Sequence, residues 1–166
     1  MIRYFQESDD VSVAFRRESD DEHMEPKFEL PIPPGPNWVT ARGLRLTREK
    51  VEALEAVDTA GMEEEAAKKH KRELRYWRTR LATAELRPLA DGEVVAFGTR
   101  VTYRLNRHEK TIALVGDDEA NPHEGRISFS SPLARAMMDA EVGEKVDFAG
   151  KVEAIEIVAI AVVSED

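Results

Sequence analysis

Carboxylates form the densest clusters of chemistry-bearing side chains in this chain. Asp58, Glu63, Glu64 and Glu65 crowd one stretch, and Asp117-Asp118-Glu119 stand in a row. Grouped carboxylate oxygens are hard ligands of the kind Mg²⁺ and Ca²⁺ take. Nothing like EF-hand spacing follows the triplet, and it reads as a solvated loop. Glu63, Glu64 and Glu65 fall where a helix begins, so complementing the helix dipole accounts for them without a metal. His23, His70, His108 and His123 are scattered, with no pair at metal-ligand spacing, and no metal or cofactor is expected. Ser128, Ser130 and Ser131 lack a G-x-S-x-G context and an obvious base, which argues against serine hydrolysis. The chain has no cysteine, so thiol nucleophiles, thiolate zinc sites and disulfides are excluded and a cytoplasmic location fits. Gly98 and Gly125 are isolated glycines at strand edges, not a phosphate cradle.

The elements that must position these groups follow from composition and periodicity. The 166 residues are 34% charged and 42% hydrophobic, enough for a core in one domain or two small modules. No run approaches the roughly 18 apolar residues of a membrane span, and no secretory leader is visible at Met1. The net charge of −9 divides as −5 over residues 1–36, +1 over 37–93 and −5 over 94–166. That balance opposes simple binding to a nucleic-acid backbone, and only the middle segment is a candidate to touch phosphate.

Residues 1–36 read as an acidic, proline-rich tail whose like charges repel. Its end, from Leu30 to Pro36, is an extended spacer. Thr40 stands where a helix N-cap belongs, with Gly43 a weakness just inside. Leu44, Val51, Leu54 and Val57 follow at helical spacing. Asp58-Thr59-Ala60-Gly61 is a turn. A second helix is expected from about Met62 to Leu86, with Leu74, Trp77, Leu81 and Ala84 as its apolar seam. Residues 37–87 are therefore expected to form an antiparallel αα-hairpin. Lys68, Lys69, Lys71, Arg72, Arg75, Arg78 and Arg80 would be its solvated surface, and Tyr76 would flank the seam.

After Arg87 to Gly92 the period becomes two. Val95, Phe97, Thr99, Val101 and Tyr103 alternate as a half-buried strand. Strands Thr111–Val115, Arg126–Phe129, Lys145–Phe148 and Lys151–Val163 follow. Ser131-Pro132 opens a short helix, with serine as cap and proline at the first helical position. Residues 92–163 are thus an α+β module, an antiparallel sheet with one helix on a face.

The blocks Val94-Val95-Ala96-Phe97-Gly98-Thr99-Arg100-Val101-Thr102, Leu114-Val115-Gly116-Asp117-Asp118-Glu119-Ala120-Asn121-Pro122, and Gly125 to Met138 followed by Val142-Gly143-Glu144 resemble the C-terminal domain of the Gre-type (GreA/GreB) bacterial transcription elongation factors. Asn37 to Leu44 resembles the entry to that family's N-terminal coiled coil. The resemblance implies an FKBP-like fold for the module. It implies binding to RNA polymerase at its secondary channel, with Ser130, Ser131, Pro132 and Leu133 at the rim contact, Ser130 standing where an acidic residue is usual. In the family, acids at the coiled-coil tip help hold a second Mg²⁺ in the polymerase active site and so stimulate cleavage of backtracked RNA.

Two departures oppose that last step here. The family's Gly-Asp-x-x-Glu-Asn-Ala tip motif is absent, leaving Asp58, Glu63 and Glu64 as the candidate tip acids. The first arm, Thr40 to Val57, would be only about 27 Å long at 1.5 Å per residue. The expectation is a polymerase-binding regulator that is not an enzyme, monomeric, touching DNA or RNA only through the polymerase and no membrane. The alternatives are a cleavage factor using Asp58, Glu63 and Glu64, or a prolyl isomerase. An isomerase needs an aromatic-lined pocket, for which the module offers Phe97, Tyr103, Phe129 and Phe148. Alternation places Phe97 and Tyr103 on one side of a strand, in the core.

Overall fold

The computed structural model describes residues 29–164. The acidic part of the expected tail, residues 1–28, lies outside the described residues. Residues 29–36 form neither helix nor strand, as their fixed proline φ angles require.

The first folded unit is a helical hairpin closed at its base by two short strands. Strand β1 (Trp38–Val39) leads into α1 (Ala41–Glu55); α2 (Glu64–Ala82) leads into β2 (Glu85–Leu86). Thr40 caps α1 as its position predicts, its hydroxyl accepting from the Gly43 amide at 2.9 Å. Asp58 makes the turn, accepting from the Ala60 amide at 2.8 Å. Val51 and Leu54 are the buried apolar side chains of α1, and ion pairs Lys50–Glu73 (3.0 Å) and Glu55–Arg78 (2.7 Å) join the helices.

The second helix ends earlier than its apolar spacing suggests. Beyond Ala82 the backbone leaves the helix, and β2 pairs in parallel with β1. The Glu85 amide donates to the Asn37 carbonyl (2.8 Å) and the Arg87 amide to the Val39 carbonyl (3.1 Å). Asn37 reinforces this closure, its Nδ2 donating to the Arg80 carbonyl and the Thr83 hydroxyl. Bonds to a segment more than forty positions away outweigh the local helical preference.

The second unit is a five-stranded sheet of β3 (Thr99–Leu105), β4 (His108–Val115), β5 (Arg126–Ser128), β6 (Lys145–Phe148) and β7 (Lys151–Val162), in the order β5-β4-β3-β7-β6. Its pairs are antiparallel except β4 with β5, which run parallel. The short connection between those two crosses by two 3₁₀ turns, Asp117–Glu119 and Pro122–Glu124. Helix α3 (Pro132–Met137) lies on one face. Val95, Val101, Tyr103, Leu114, Met137, Ile155 and Ile157 build the core.

Val95, Phe97, Thr99, Val101 and Tyr103 are all buried as the alternation predicts, with Gly98 buried between them, but the strand itself starts only at Thr99. Before it, the Thr99 hydroxyl donates to the Ala96 carbonyl (2.7 Å) and accepts from the Ala96 amide (3.1 Å), closing a turn. The α+β architecture of a helical hairpin plus a mostly antiparallel sheet with one short helix is the one expected.

Candidate functional site

The site lies where hairpin meets sheet, and the acidic triplet builds it. Asp117, Asp118 and Glu119 do not form a solvated loop; they are the junction. Glu119 Oε2 accepts from the Thr40 hydroxyl at 2.5 Å, and Oε1 receives Arg42 (3.2 Å) and Arg126 (3.3 Å). Its side chain is 2% exposed. Asp118 accepts from the Tyr76 hydroxyl and from Arg80 Nε. Arg80 is therefore not part of a solvated surface: its side chain is 2% exposed, and its guanidinium also faces Asp117 at 3.8 Å. Burial and the hydrogen bond to anionic Asp118 push the Tyr76 phenol well above its ordinary pKa. A buried carboxylate is tolerated only when paired and hydrogen-bonded, and all three acids meet that condition.

Two glycines let the units approach. A Cβ on Gly43 would lie 2.8 Å from Glu119 Oε2, and one on Gly116 would lie 2.5 Å from the Trp38 carbonyl oxygen. Gly43, a weakness by helix propensity alone, is the opening through which Glu119 reaches the cap of α1.

Asp117 carries the junction on to the loop after β5. It accepts from the hydroxyls of Ser128 and Ser130, the latter at 2.8 Å. Ser131 caps α3, its hydroxyl accepting from the Ala134 amide at 3.3 Å, with Pro132 at the first helical position. Of the four residues the sequence points to here, Ser130 and Ser131 are thus occupied by internal bonds. Leu133 packs against the core, and Pro132 is exposed. Next to them Phe129 stacks on Trp38 (centroids 4.9 Å) and meets Phe97 edge-on (5.4 Å), while Arg87 lies over the Trp38 ring at 4.7 Å. A groove of about 600 Å³ opens here, walled by these aromatics, Met138, Arg135 and Ser130. Tyr103 and Phe148 do not join Phe97 and Phe129 in it. Tyr103 is buried in the sheet core, where burial raises its pKa, and Phe148 packs against that core.

The candidate tip acids do not converge. Asp58 is spent on its turn. Glu63 precedes α2 without a side-chain capping bond. Glu64 and Glu65 both pair with Lys68, at 3.0 and 3.3 Å. Among the described residues no group of three or more acidic or histidine side chains is placed to hold a metal ion. The fifteen residues of α1 span about 22 Å, shorter than the arm expected from sequence.

Sequence reasoning missed the network of Arg80, Tyr76 and the triplet, and the separate stack of Trp38 on Phe129. Only the glycine three residues inside the Thr40 cap signals that something must approach closely there.

Residues 90–162 match the family model described as the C-terminal part of the transcription elongation factors GreA/GreB. The chain is 41% identical over 86 residues to transcription elongation factor GreA of Sinorhizobium medicae, covering 48% of this chain and 54% of that protein. It is 45% identical over 73 residues to the GreA of a Caulobacter species, covering 42% and 46%. The chain thus spans about half the length of the curated relatives it matches. Among solved structures, the GreA factor homolog 1 (Gfh1) of Thermus thermophilus aligns with 76% of this chain and 99% of its own, at 19% identity and a TM-score of 0.35. GreA/GreB of Nitrosomonas europaea aligns with 77% and 99%, at 19% and 0.37. No helix among the described residues is long and apolar enough to cross a membrane. The sheet module with its capped α3 lies within residues 90–162, the part of this chain that matches the C-terminal domain of the GreA/GreB transcription elongation factors.

Proposed function

We propose that this chain is an elongation-factor-like regulator that binds bacterial RNA polymerase at the rim of the secondary channel through its C-terminal module, without stimulating transcript cleavage. The observation that carries the reading is the family match over residues 90–162, which includes the whole Ser130–Leu133 loop. The loop has the build of a docking element. Asp117, Ser128 and the Ser131 cap hold its backbone, leaving exposed Pro132 as the group a partner would meet beside the aromatic groove. Pre-organised loops lose little entropy on binding.

The second half of the reading rests on the hairpin. An arm of about 22 Å, with Glu64 and Glu65 turned onto Lys68, offers no converged carboxylates to a metal. DNA and RNA are then reached only through the polymerase, and the protein acts as a cytoplasmic monomer.

The test is retention of the full chain on immobilised core polymerase, repeated with Pro132→Asp. Retention of the native chain and loss in the variant, with unfolding midpoints alike, is the expected result. Core polymerase that ignores the native chain would defeat the proposal.

A further inference from the structure

We infer that Arg80 of the hairpin is a positioning residue for the Ser130–Leu133 loop: through Asp117 it sets the geometry with which the sheet module meets its partner. The inference rests on reading that loop as the polymerase contact.

Asp117 stands between the two units and uses a different oxygen towards each. Its Oδ2 faces Arg80 Nη2 of α2 at 3.8 Å. Its Oδ1 accepts from the hydroxyls of Ser128 and Ser130, the latter at 2.8 Å. The two serines are also joined to each other. The Ser130 amide donates to the Ser128 hydroxyl at 3.0 Å, and their hydroxyl oxygens lie 2.7 Å apart. The Ser131 amide donates to the Ser128 carbonyl, also at 3.0 Å, and the Ser131 hydroxyl caps α3. The turn that presents Pro132 is therefore built around one carboxylate.

The counter-ion of that carboxylate comes from the hairpin. Among the described residues Arg80 is the only cation at ion-pair distance from Asp117. The nearby Arg126 of the sheet module turns to Glu119 and Glu124. Arg80 is fixed for the task. Its Nε is bonded to Asp118, and its buried Nη2 has no hydrogen-bond partner, so the Asp117 carboxylate is the anion that this end of the guanidinium faces. A buried guanidinium holds its carboxylates strongly, because neither side has water to turn to. Hydrogen bonds from hydroxyls to a carboxylate are stronger and more closely set than those to a neutral acceptor. Neutralising Arg80 therefore releases Asp117, and the two serine hydroxyls move with it. The hairpin in this way contributes to binding by a loop it does not contain.

The test uses the full chain, isotope-labelled for NMR and also measured for affinity to immobilised core polymerase. Arg80→Gln should displace the Ser130 and Ser131 amide signals while those of β3 and β7 stay native. It should weaken polymerase binding roughly 2- to 30-fold. Asp117→Asn should reproduce both effects, and the double variant should add nothing further, since the two residues act in series. Val51→Ala, which opens a cavity inside the hairpin away from this chain of contacts, should leave the loop amides and the affinity native. Should Arg80→Gln fail to fold, Asp117→Asn carries the same readouts. Native loop amides in the charge variants would overturn the inference. So would additive effects, an equal displacement in Val51→Ala, or displaced amides with unchanged affinity. Core polymerase that ignores the native chain would defeat the reading of the loop, whereas the amides decide independently whether Arg80 sets its geometry.

Discussion

The Thr40 hydroxyl donates to Glu119 across 79 positions of sequence, at 2.5 Å, while accepting from the Gly43 amide. The cap of the first helix and the junction to the sheet are therefore the same hydroxyl. Glu119 is in turn held by Arg42 and Arg126, one from each unit. The hairpin cannot swing without breaking a buried charge cluster.

Gly43→Ala tests that close approach. By helix propensity alone the change should stabilise by about 1 kcal/mol. The new methyl would lie 2.8 Å from Glu119 Oε2, however. Urea unfolding should show a net loss of about 1–3 kcal/mol. In a Glu119→Ala background the obstacle is gone and Gly43→Ala should turn stabilising; the two changes must be non-additive. Additive effects would refute the contact.

Asp118→Ala removes the partner of a guanidinium whose side chain is 2% exposed. Leaving such a charge unpaired costs about 3–5 kcal/mol, measured as a fall in the denaturant midpoint. A loss below about 1 kcal/mol would mean that Arg80 finds water or another acid.

Tyr76 predicts the alkaline limb of stability. Its pKa is raised in the folded state above the unfolded value near 10. The folded protein thus holds the proton more tightly. The stabilisation is complete below about pH 10 and is lost as pH rises above it. Tyr76→Phe should unfold with a shallower pH dependence above about pH 10 than the native chain. Identical alkaline slopes would contradict the buried Tyr76–Asp118 bond.

What was legible in the sequence is what local chemistry decides. Thr40 and Ser131 announce their helices because a cap needs only its own next three amides. Val95 to Tyr103 announce their buried side because alternation is a property of a single strand. The rest depends on partners far along the chain. Arg80 looks like one more cation on a basic helix until Asp118, 38 positions on, is folded beside it. Glu85 and Leu86 continue a helical seam until Asn37 and Val39 offer them a strand. The triplet read as a loop because a run of acids is usually solvated, and only the three-dimensional supply of Arg42, Arg80 and Arg126 makes burial affordable. Resemblance to the GreA/GreB domain pointed to Ser130–Leu133, but not to the internal duties of Ser130 and Ser131.

The same division sets a prediction for the loop. Ser131→Ala removes the cap of α3 and should cost about 1 kcal/mol in unfolding free energy. Pro132→Asp leaves that cap in place, so loss of polymerase retention without loss of stability should be confined to Pro132. Equal loss of both properties in both variants would make the loop a purely structural element.

The most direct test of the central claim adds this protein to halted, backtracked transcription complexes together with a limiting amount of a cleavage-competent GreA. The account predicts that the chain alone leaves the RNA intact and that, in excess, it suppresses the cleavage GreA produces. Cleavage by the chain alone, or GreA activity untouched by any excess of it, would contradict the account.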